Sequence, residues 1–164
     1  MSAARIAPGS GQTNVATGLP VLDHLLGRLA RAGRFDLTLE IAPDDPEAEV
    51  DAAGEALGDA LAGLLAEGAH GHGTMPADEA LATVVVEASG RALVASNVDL
   101  RPSRVGGLET DLAARFLDRL AAAAGLTVHV RLIEGVDTDH VLEAMFKALG
   151  VALAQATAAP RREE

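Results

Sequence analysis

Apolar residues along this chain switch between two spacings. Leu22, Leu25, Leu26 and Leu29 recur every three or four positions, which predicts a helix over about 22–32. Pro20 stands near its start, where a missing N–H is tolerated, and Gly33 can end it. Phe35, Leu37, Leu39 and Ile41 then alternate with polar residues and predict a strand with one buried face. The PDDP stretch at 43–46 breaks that strand. Leu57, Leu61, Leu64 and Leu65 form the apolar side of a second helix, about 50–67. GAHGHGTMP at 68–76 reads as a loop. Strands follow at 81–88 and 92–98, joined as a hairpin through Ser89, Gly90 and Arg91. A helix over about 109–123 ends at Gly125, a strand covers 126–132, and a last helix covers about 140–156. Residues 1–18 carry little pattern and read as a loose or partly strand-like arm; the tail PRREE is polar.

The order helix, strand, helix at 22–66 recurs at 109–156, with ALGDAL at 56–61 echoed by ALGVAL at 148–153. Chance similarity between Ala/Leu-rich helices explains one such match more readily than three in register. The pattern predicts an α+β fold: a tandem repeat of two similar halves, each a sheet with helices packed on one face. The halves are placed at 17–88 and 89–156, between an arm at 1–16 and a tail at 157–164.

Composition narrows the chemistry. Hydrophobic residues make up 49% of the chain and aromatics only 2%, so the core is built of Leu, Val and Ala with three Phe. A net charge of −11 argues against nucleic acid and anionic lipid as partners. Arg31, Arg34, Arg91, Arg101, Arg104, Arg131 and Lys147 still offer local cations for a phosphate. The absence of cysteine excludes disulfides, iron–sulfur clusters and thiolate zinc sites. No uninterrupted apolar run reaches the roughly 18 residues of a membrane span. MSAARIAPGSGQ lacks a signal-peptide core, so a cytoplasmic protein is expected.

Five histidines are candidate ligands: His24, His70, His72, His129 and His140. His140 and Glu143, and Asp139 and Glu143, are spaced to share a helix face, and the corresponding stretch of the first half places Glu47 and Asp51 likewise. The plainer explanation of these acids is a favourable interaction with a helix N-terminus. By alternation His129 points away from the apolar face of its strand, beside Thr127 and Arg131; a surface histidine explains it more readily than a ligand. A half-buried structural residue does the same for His24, and HGH at 70–72 is at most a weak metal clip.

Several ordered motifs resemble the imidazoleglycerol-phosphate dehydratase family from Thr17 to about Ala156. Thr17-Gly18 with Leu22-Asp23-His24-Leu25-Leu26 resembles its TG-x-x-x-LDHML segment. Pro76-Ala77-Asp78-Glu79-Ala80-Leu81 resembles PMDEAL, Ser89-Gly90-Arg91 resembles SGR, and Arg104-Val105-Gly106 with Glu109-Thr110 resembles its RVG and TEL region. Thr127-Val128-His129-Val130 resembles TLHI, and 139–148 resembles HH-x-x-EA-x-FKA. The resemblance implies a fold like the second domain of ribosomal protein S5. It also implies a cytoplasmic homo-oligomer, a trimer or a larger shell, with ligands shared between subunits.

It further implies a Mn²⁺ pair, or another divalent ion, held by two HH-x-x-E motifs and two further histidines. By that resemblance the metal residues are His24, Glu47, Asp51, His129, Asp139, His140 and Glu143. The implied catalytic residues are Glu143, Lys147 and Asp51, and the implied contacts to a small phosphorylated imidazole substrate are Arg91, Arg104 and Lys147. The chain departs from the pattern in places. The first HH-x-x-E reads EAEVD, the second DHVLE, and Ala32 replaces the histidine of ARHG. The family's N-terminal RxTxET strand and C-terminal serine–lysine loop have no counterpart. Three functions fit. The first is a divergent metal-dependent dehydratase of histidine biosynthesis, with the same or a changed substrate. The second is a catalytically inactive homologue acting as a structural or regulatory subunit, which needs no metal. The third is a different small-molecule binder or enzyme on the same fold.

Overall fold

The computed structural model describes residues 2–99, 104–105 and 108–158, and for 104, 105, 108 and 109 it gives the backbone alone. The first strands are β1 (Ala3–Pro8) and β2 (Thr13–Ala16). They lie in the N-terminal arm, where only Ile6 is buried and the alternation that marks a strand is too weak to read. Both pair with β3 (Phe35–Glu40), β1 antiparallel and β2 parallel, so β3 is central in the order β1-β3-β2. Between them runs α1 (Pro20–Gly33), which buries Leu22, Leu25, Leu26, Leu29 and Ala30 as its spacing predicts.

The second helix, α2 (Pro46–Ala62), begins four residues before the expected start. The PDDP stretch both ends the strand and starts the helix. Asp45 accepts a hydrogen bond from the Ala48 N–H at 2.9 Å and Pro46 takes the first turn, so Glu47 and Ala48 are already helical.

The expected loop at 68–76 is instead a strand, β4 (His70–Ala77), paired along its length with β5 (Ala80–Glu87). Its inward residues begin with two glycines, Gly71 and Gly73, followed by Met75 and Ala77. A Cβ on Gly71 would collide with the Ala152 carbonyl oxygen, and one on Gly73 would lie 2.6 Å from that of Ala148. The alternation is therefore real but runs Gly inside and His or Thr outside, a pattern that hydrophobicity does not reveal.

The hairpin expected at 89–91 does not form. After β6 (Leu93–Ser96), β7 (Arg104–Val105), β8 (Leu108–Glu109) and α3 (Thr110–Ala124), the strand β9 (Thr127–Glu134) inserts between β5 and β6. It runs antiparallel to β5 and parallel to β6, giving the order β4-β5-β9-β6. The Gly90 N–H donates to the Gly125 carbonyl at 3.0 Å, so the supposed hairpin turn is tied to β9 instead.

The last element, α4 (Thr138–Ala158), has 21 residues and is long and apolar enough to cross a bilayer by length and composition. Asp139, Glu143 and Lys147 interrupt it, so its sequence holds no unbroken apolar run of that length. In the fold it is a core helix, packed on β4 and β5 and against α1, with Phe146 stacked on Phe116 of α3 at 5.8 Å between ring centroids.

The three-strand pattern β1-β3-β2 recurs as β5-β9-β6 with the same directions, and each set carries two helices, α1 and α2 or α3 and α4. The chain is thus an α+β tandem repeat with β4 added at one edge. The helices meet in the middle, α1 on α4 and α2 on α3, with a sheet outside each pair. Glycines set those crossings. A Cβ on Gly150 would strike the Leu29 carbonyl, and one on Gly58 would lie 2.6 Å from the Ala123 Cβ.

Candidate metal and substrate site

Two clusters gather at the start of α4. In the first, His24 of α1 places Nε2 3.0 Å from Glu143 Oε1 of α4. Arg28, one turn after His24, brings Nε to 3.0 Å from the same oxygen as an ionic contact without hydrogen-bond alignment. Burial pushes the Glu143 carboxyl up, but the His24 bond and the Arg28 charge outweigh it and leave the group below its ordinary value.

In the second cluster, the β4–β5 turn presents Asp78 and Glu79, and Asp78 adopts a left-handed backbone with φ 50°. Glu79 Oε2 lies 2.6 Å from His140 Nδ1, and Asp78 Oδ2 lies 3.2 Å from His140 Nε2. Glu79 also accepts from the Asp137 N–H at 3.0 Å, so one carboxylate holds both the start of α4 and the imidazole. That backbone bond first, and the His140 bond second, lower Glu79 to about 2. The Glu79 bond in turn raises His140.

Lys147, one turn beyond Glu143, donates from Nζ to the Pro76 carbonyl at 2.6 Å. Asp139 is a first-turn acid of α4 whose N–H donates to Asp137 Oδ1 at 3.0 Å. His129 stands on the opposite, open face of the sheet, across from Val85 and Ala95. His70 and His72 share that face. Arg91 sits in the turn before β6, where its backbone carbonyl accepts from Thr127 Oγ1 at 3.0 Å. The side chain of Arg104, and Arg101 altogether, lie outside the described residues.

The first-half motif makes different contacts. Asp51 of α2 accepts from Arg115 Nε at 2.6 Å and from a second nitrogen of the same guanidinium at 2.8 Å, a two-pronged pair. Arg119 adds a third bond at 3.1 Å, and Arg115 also reaches Glu47 at 2.8 Å. The Arg115 bonds lead in lowering Asp51 below the ordinary carboxylate range. Glu49, between them in sequence, turns inward and is only 6% exposed, its carboxylate lying where a Cβ on Gly18 would be.

These contacts bear on a metal. The donors gathered at α4, the imidazoles of His24 from α1 and His140 and the carboxylate of Glu143, fit a divalent ion in type. The first-half donors do not fit, because guanidinium groups already occupy the acceptor directions of Asp51. Among the described residues no three His, Asp or Glu side chains converge as a ligand set within one chain. Sequence reading missed Arg28, Arg115 and Arg119, whose partners are 64 to 115 residues away. Asp78 and Glu79 were visible only as part of the PADEAL motif.

Residues 17–153 match the family model of imidazoleglycerol-phosphate dehydratase. A protein of that description from Synechococcus sp. is 43% identical over 162 residues, spanning 94% of this chain and 80% of its own. One from Pelobacter propionicus is 39% identical over 163 residues, spanning 95% of this chain and 84% of its own. Among solved structures, imidazoleglycerol-phosphate dehydratase from Staphylococcus aureus superposes with a TM-score of 0.85 at 30% identity, covering 98% of this chain and 99% of that one. The Pyrococcus furiosus enzyme superposes at 0.81 with 28% identity, covering 99% and 90%.

Proposed function

Because this chain belongs to the imidazoleglycerol-phosphate dehydratase family, we propose that it dehydrates imidazoleglycerol phosphate, or a closely related phosphorylated imidazole, in histidine biosynthesis. The observation carrying this reading is a family match over nearly the whole chain that includes His24, His140, Glu143 and Lys147. His24, His140 and Glu143, with His129 and Asp139 by resemblance, would hold Mn²⁺ or another divalent ion, with ligands shared between the subunits of a trimer or larger assembly. When bound, such an ion would stabilise negative charge on the substrate's imidazole as a proton leaves a weakly acidic carbon.

The chain's own groups do the rest. Glu143, held below its ordinary value by His24 and Arg28, stays a carboxylate at neutral pH and so offers an anionic oxygen to a cation. Asp78 and Glu79 fix His140 from two sides and leave its ring only 30% exposed. Lys147, Arg91 and Arg104 supply positive charge for the phosphate.

A second reading is favoured by the arginine pairs on Asp51 and Glu47, namely a catalytically inactive homologue serving as a structural or regulatory subunit. Turnover of imidazoleglycerol phosphate with excess Mn²⁺ decides between them. Product formation lost in His140→Ala supports the dehydratase; no product beside an active control enzyme supports the second reading.

A further inference from the structure

We infer that the first-half motif of this chain is an ion-paired joint between α2 and α3 and takes no divalent ion. The argument is geometric. A divalent cation at Asp51 would have to displace three guanidinium hydrogen bonds, two of them from one planar group matched to the carboxylate. Glu47 is tied to the same Arg115, and Arg119 reaches on to Glu55 at 3.8 Å. Five side chains on two helices thus form one alternating network: Glu47, Arg115, Asp51, Arg119 and Glu55. Ala48, between the two motif acids, brings no donor.

The helix crossing beneath that network leaves the arginines little room to withdraw. A Cβ on Gly54 would lie 2.7 Å from the Arg119 Cβ and 3.0 Å from the Phe116 carbonyl. The backbones of α2 and α3 are in close contact there, and the stems of Arg115 and Arg119 rise directly over the α2 face that bears Asp51. Asp51 itself is 24% exposed, which shields the pair in part from solvent. The cations that a metal site would supply are covalently built into α3.

The inference rests on the family reading only in treating 47–51 as the counterpart of 139–143. Its test is independent of turnover. Purified full-length protein, Asp51→Asn, Arg115→Gln and the double variant are melted in EDTA, and Mn²⁺ uptake is measured for each by calorimetry and metal analysis. The expected result is a Tm lowered by about 3 °C or more in either single variant without metal. The double variant should fall less than the sum of the two, because the residues share one interaction. Mn²⁺ uptake by Asp51→Asn should equal that of the unaltered protein, whatever its level. Reduced uptake in Asp51→Asn, or additive melting losses, overturns the inference. Loss of uptake in Glu143→Gln speaks to the second-half motif and the proposed function, so the two ideas fail separately.

Discussion

At the scale of single residues, Glu79 and His140 form the most strongly shifted acid–base couple facing the proposed site. Glu79 falls from an ordinary 4.5 to about 2, so its contribution to stability is present above about pH 4.5 and is lost as pH falls through about 2. His140 is raised above 6.5, so its contribution is complete below that value and is lost as pH rises through the raised one. The couple therefore supports the start of α4 most strongly between about pH 4.5 and 6.5. Glu79→Gln should lower the His140 pKa, read from its imidazole carbon-bound proton shifts in an NMR titration. An unchanged midpoint would mean that Asp78 and Asp137 suffice. The histidine and carboxylate of the second-half motif were legible in the sequence because they sit three apart on one helix. Their actual partners were not. His24 meets Glu143 across 119 residues, and Arg115 meets Asp51 across 64, and no local spacing encodes either.

At the scale of elements, helices were read well except at α2, which ends at Ala62 and leaves Leu64 and Leu65 beyond it, and two strand features were missed. Leu-rich spacing of three and four fixes α1 and α3 because their apolar stripes are narrow. The strand β4 escaped because its buried face opens with two glycines, Gly71 and Gly73, which periodicity scores as loop. Gly73→Ala should consequently destabilise the protein by about 1–3 kcal/mol through overpacking against α4, visible as a lowered chemical-denaturation midpoint. His72→Ala on the open face of the same strand should change little. The start of α2 offers a second check. Asp45→Ala removes the bond to the Ala48 N–H and should cost about 1 kcal/mol, with an unchanged melting curve arguing that Pro46 alone sets the helix start. The insertion of β9 between β5 and β6 could not be read locally, since a Ser-Gly-Arg turn looks alike whether its strands pair together or with a third.

At the scale of the molecule, the repeat seen in sequence is a repeat of topology: a central strand, one antiparallel and one parallel neighbour, and two helices. The two units share one interior, because helices of one lie on helices of the other. Phe146, fully buried and stacked on Phe116, stands in that shared layer. Phe146→Ala should cost about 3–5 kcal/mol and lower the unfolding of both units together. Separate transitions by circular dichroism and hydrogen exchange would show that each unit unfolds alone. The joints of this layered body carry a consequence for its mutational history. Gly33, Gly58, Gly71, Gly73 and Gly150 stand where main chain nearly touches a neighbour. Every amino acid that one base change can put in place of glycine carries a Cβ, so no single-nucleotide replacement leaves these contacts intact. EAEVD and DHVLE sit at helix starts with room around them, while the seams between the layers have almost nowhere to go.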